Sequence, residues 1–151
     1  MNAASHAITV NLTSKIAQLA VLFRAEFADV RVDLNPWLTD TQTQRQLDPH
    51  SIDLSFFFSR KHCGLACNCI FLQVRFSEGL LQPTCHLTHI EANGYQNVEE
   101  QWAFSTASGY FTGACTPIEE YQARLRNIMS KIFQLFEYPN QVKTRSDYGS
   151  Y

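Results

Sequence analysis

Apolar positions early in the chain recur at helical steps. Ile16, Leu19, Ala20, Phe23 and Phe27 fall three or four residues apart, with Lys15, Arg24 and Glu26 off that stripe. The spacing predicts an amphipathic helix over about 13–28, capped by Thr13 or Asn11. The chain from about 30 to 51 shows no such period. Asn35-Pro36 and Asp48-Pro49 read as turns, because the residue before a proline is pushed out of the helical region. The polar stretch 39–46 between them reads as a short helix capped by Asp40 or as a mobile loop, with Trp37 and Leu38 pinning it to the body.

In the middle the period becomes two. Ile52, Leu54, Phe56 and Phe58 alternate with Asp53, Ser55, Phe57 and Ser59. After a cysteine-rich loop, Ile70, Leu72, Val74 and Phe76 alternate with Cys69, Phe71, Gln73 and Arg75. Two half-buried strands joined this closely form an antiparallel hairpin. A third strand is expected over 85–92, ended by Asn93-Gly94. A fourth is expected near 101–104 and a short fifth at 110–112. The helical period then returns. Ile118, Tyr121, Leu125, Ile128, Ile132 and Leu135 form a stripe that Met129, Phe133 and Phe136 widen. Thr116 is the expected cap, Pro117 the first helical residue, and Glu119 and Glu120 suit the positive helix start. Pro139 ends the helix, and 139–151 reads as a polar, frayed tail.

The reading is therefore an α+β domain over 1–138: a single four- to five-stranded antiparallel meander packed by an N-terminal and a long C-terminal helix. Composition narrows the class. Of 151 residues 17% are charged, against roughly 25% in an average soluble domain. Hydrophobic residues reach 45% and aromatics 13%. Such a chain is not disordered. A net charge of −2 without a Lys/Arg cluster gives no basis for binding nucleic acid. No leader pattern opens the sequence, and charges interrupt every apolar run short of the roughly 18 residues a membrane span needs. A cytoplasmic location without membrane attachment is expected. An odd number of cysteines, five, fits a reducing compartment.

Candidate chemistry gathers around Cys63, Cys67 and Cys69, with Cys85-His86 one hairpin away. Thiolate and imidazole suit zinc, and suitable strand pairing could bring Cys63, Cys67, Cys85 and His86 together. The Cys-x-x-Cys spacing of fingers and ribbons is missing, so half-buried structural thiols are the preferred reading. A reactive thiol is the other option. Arg60, Lys61 and His62 precede Cys63, and Cys115 lies just before the last helix. Cys85-His86 locally resembles the chromophore-attachment dipeptide of bilin-binding GAF domains. A hairpin stands here where that family has a βα alternation, so no cofactor is expected. No phosphate loop, nucleophile elbow or His-Glu-x-x-His occurs.

The apolar surplus is the stronger signal. Phe57 and Phe71 face away from the main apolar side of the hairpin, and Phe133 and Phe136 broaden the helical stripe. Bare, they would make a patch of the kind monomers avoid; Trp37, a helix or another chain should cover them. The leading expectation is a non-enzymatic protein-interaction or adaptor module that self-associates as a homodimer. The first alternative is a binder of a small apolar ligand, in a pocket between sheet and C-terminal helix. The second is a cysteine-based metal or redox site.

Overall fold

The computed structural model describes residues 1–38, 40, 41, 45 and 47–137. Most of the 39–46 segment and the expected tail, with Pro139, lie outside the described residues. A 3-10 turn, Ala3–His6, precedes α1, Val10–Glu26. The strands follow as β1 Val30–Asp33, β2 Ser51–Phe58, β3 Cys69–Phe76, β4 Leu87–Gln96, β5 Glu99–Ser105 and β6 Phe111–Thr112. A second 3-10 turn, Cys63–Leu65, links β2 to β3, and α2, Glu119–Glu137, closes the chain. The strands form one six-stranded sheet in sequence order, each pair antiparallel. This is the expected α+β meander with two helices. The additional strand is β1, four residues beside Asn35-Pro36, too short to show a period.

Both helices cover one face of the sheet. That face carries Ile52, Leu54, Phe56, Ile70, Leu72, Val74, Ile90 and Trp102, all fully buried. Phe23 of α1 stacks on Phe56 with ring centres 3.6 Å apart, and Phe136 of α2 meets the edge of Phe76 at 5.1 Å. Lys15, expected on the outside, is buried with its ammonium 5.3 Å above the Phe136 ring. Burial lowers its pKa. Its aliphatic stem packs between the helices while the charge faces an aromatic ring.

Local hydrogen bonding shifts three boundaries. α1 starts a turn early: Thr9 is the cap, its hydroxyl accepting the Leu12 N–H at 3.1 Å, so Asn11 and Thr13 lie inside the helix. α2 starts late, and Thr116 is not its cap. The Ile118 N–H is taken by the Gly64 carbonyl at 2.8 Å, and the first helical bond runs from Gln122 N–H to Ile118 O at 2.9 Å. β4 runs through Asn93-Gly94 instead of ending there. Gly94 is needed for close approach, since a Cβ would lie 2.2 Å from the Trp102 indole. The turn falls at Asn97-Val98, where Asn97 takes φ 58°.

Candidate functional site

Along β2 the polar alternation does not face water. Ser51, Asp53 and Ser55 are as buried as the apolar residues between them. The chain on either side of β1 folds over this second face. The Asp53 N–H donates to Met1 O at 2.9 Å, and its carboxylate Oδ2 accepts from the Trp37 indole N–H at 2.6 Å and the Met1 amino group at 2.8 Å. Gln73 Nε2 reaches Oδ1 at 3.4 Å. Asn2 accepts the Trp37 backbone N–H at 2.9 Å. A buried carboxylate needs such donors. Together they hold the Trp37 ring edge-on to Phe71, centres 5.3 Å apart.

Beyond Trp37 the same face is open. Strand register lays Arg31, Phe57, Cys69 and Tyr95 in one row across four strands. Asp33, Ser55, Phe71 and Asn93 form the next row. Trp37 stands as a wall over the second row. The result is a groove of about 910 Å³, lined by Arg31, Trp37, Phe57, Phe71, Cys69 and Tyr95. Ser55, Ser59, Asn68 and Asn97 supply polar groups along it. Arg31 lies over the Phe57 ring at 5.2 Å. Volume and lining fit a ligand site: mostly aromatic surface with few polar groups.

The groove thus collects Trp37, Phe57 and Phe71 of the five expected interface residues. Phe136 is in the core instead, and Phe133 is half-buried beside a cavity of about 270 Å³ with Phe104 and Met129. A cavity of about 490 Å³ opens at the helix–sheet edge, lined by Leu12, Lys15, Phe76, Leu87 and Phe136, while the larger groove is on the face opposite the one expected. Arg31 and Tyr95 escaped the sequence reading. The alternation Val30-Arg31-Val32-Asp33 was the signal for Arg31, legible once β1 is recognised, and Tyr95 follows from β4 running past Asn93-Gly94.

The cysteines do not assemble as the metal reading required. Cys63 and Cys67 lie at one end of β3 and Cys85-His86 beyond the other, separated by eight strand residues, about 25 Å at the usual rise. No cluster of three metal-ligating side chains occurs among the described residues. Cys67, just before β3, packs in the core, where burial pushes its thiol up to about 12, and Cys69 lines the groove, where burial pushes it up to about 11. Neither supplies thiolate at neutral pH. Cys63 and Cys115 are exposed.

Sequence reading also missed the pairing of His62 with Asp29, Nε2 to Oδ1 at 3.0 Å, with the Tyr121 hydroxyl 3.5 Å from Nδ1. Burial raises the Asp29 carboxyl, but hydrogen bonds from the Arg60 N–H and His62 outweigh it and hold it below its ordinary value. The His62 ring sits edge-on to Phe27, Phe58 and Tyr121. It ties the β2–β3 connection to α1 and α2, a structural role.

A family model described as a domain of unknown function matches residues 4–138. No curated protein and no solved structure matches the chain.

Proposed function

We propose that this chain, which belongs to that family of domains of unknown function, is a non-enzymatic binding module whose open sheet face holds a small apolar ligand. The observation that carries the reading is the groove itself: about 910 Å³ with aromatic floor and wall. A flat aromatic floor gives apolar contact at little conformational cost. Its thiol is held protonated, so Cys69 contributes packing and not nucleophilic chemistry. Five free cysteines support a cytoplasmic setting. No helix among the described residues is long and apolar enough to cross a membrane.

The test uses Nile red, an uncharged dye whose emission rises in apolar surroundings. One dye should bind per chain, and Trp37→Ala and Phe71→Ala should each weaken binding about tenfold or more, since each removes a wall or floor ring. Dye binding unchanged in both variants would contradict the reading.

A second reading keeps the face as a protein contact. Leu38, beside Trp37, and Val98, on the groove lining, are 73% and 92% exposed. Self-association through this face would cover both. Sedimentation at micromolar concentration separates the two: twice the chain mass favours the homodimer, and a single-chain mass with bound dye favours the ligand.

A further inference from the structure

The lining of the groove carries a positive charge. Among the described residues Arg31 is the only charged one on its lining, and no carboxylate among them forms an ion pair with it. A neighbouring cavity of about 450 Å³ shares Phe58, Ser59 and Asn68 with the groove. Arg60 and Lys61 line it, again without an acidic side chain. Asp33 and Glu100 beside the lining act electrostatically on Cys69 and Tyr95, and the carboxylates close by each hold hydrogen bonds of their own. Asp29 takes the Arg60 N–H and His62, Asp33 the Asn35 N–H at 2.9 Å, and Glu100 the Asn93 side-chain amide at 2.8 Å.

An uncharged guest on Phe57 would strip water from one face of the Arg31 guanidinium and return nothing. A cationic guest would be repelled. An anion would answer it with paired, charge-assisted hydrogen bonds, the geometry guanidinium favours for carboxylate.

We propose that the ligand of the groove is an anionic amphiphile, a soluble monocarboxylate with an apolar chain or ring body. Its carboxylate pairs with Arg31, and its body lies along the row across the strands, over Phe57 and Cys69 and beside Phe71 under Trp37. Three inter-strand spacings separate Arg31 from Tyr95, about 14 Å, the reach of a medium-chain acid. The inference rests on the reading of the groove as a ligand site and adds the ligand's charge.

The experiment is displacement of Nile red from the full chain by dodecanoate, dodecanol and dodecyltrimethylammonium, all below their micellar concentrations. Dodecanoate is expected to displace at about tenfold lower concentration than dodecanol, and the ammonium least well. Arg31→Gln should bring dodecanoate to the level of dodecanol, and Arg31→Lys should keep part of the preference. Equal displacement by the acid and the alcohol, or a preference that survives Arg31→Gln, overturns the anionic ligand while leaving the apolar groove standing. Failure of the dye itself to bind overturns the groove and the inference together. Retention on phosphatidylserine vesicles without displacement by dodecanoate overturns it in favour of a membrane surface.

Discussion

Single residues carry the constraints that local patterning cannot show. Gly94 sits where a turn was expected because Asn-Gly is a strong hairpin signal. The indole of Trp102 decides otherwise: it lies flat over the Gly94 backbone, with its N–H donating to Leu65 O at 2.9 Å. Gly94→Ala should therefore cost about 1–3 kcal/mol in urea unfolding, the range for forcing atoms into a packed core, where Gly→Ala in a strand is ordinarily harmless. His6 offers a titration. Burial lowers its pKa from 6.5, with the Ser51 carbonyl at 2.8 Å working in the other direction. A depressed folded pKa means the unfolded chain takes up the proton first. Stability is then full above 6.5 and falls as pH drops through the folded value. Asp29 has a lowered pKa too, but its window lies below 3.8, so His6→Gln should flatten only the loss that begins as pH falls below 6.5. The buried thiols act oppositely. Cys67 and Cys69 stay protonated in the fold, so stability should decline as pH rises above 9. In alkylation at pH 8, Cys63 and Cys115 should react first and Cys67 last.

At the scale of elements, periodicity was a good guide wherever a strand or helix has one wet face. β3 and α2 were legible for that reason, since their buried positions follow periods of two and three to four. Leu125→Ala on α2 should lower stability by about 2–5 kcal/mol, because the fully buried side chain leaves a cavity in the core. Where a second layer covers the other face, pattern misleads. β2 alternates in sequence, yet Asp53 is 1% exposed, because segments far along the chain return over it. Nothing local to β2 announces that. β1 was missed for the opposite reason, its pairing with β2 being its main distinction from a loop. The metal reading failed on geometry of the same kind: sequence neighbours across a hairpin can sit a full strand length apart.

For the whole molecule, the apolar surplus divides between two faces. One is the core under α1 and α2, which absorbs Phe136 and most of the helical stripe. The other is partly roofed by Trp37 and left open over Phe57 and Phe71. The sequence located those rings on the outer face correctly but could not tell a covered patch from a groove, because the covering residue comes from a patternless segment. A domain that spends a buried carboxylate, Asp53, on orienting one indole has a wall that is held in place before any ligand arrives. Preorganisation of this kind is what the proposed binding role requires of that face.

The most direct test is a backbone-amide NMR titration of the full chain with dodecanoate. Shifts should concentrate at Arg31, Phe57, Cys69, Phe71 and Tyr95, with Trp37 following, while Phe104, Met129 and Phe133 on the helix side stay still. Perturbation centred on the helix side, or none at saturating acid, would contradict the claim that the open sheet face is the binding site.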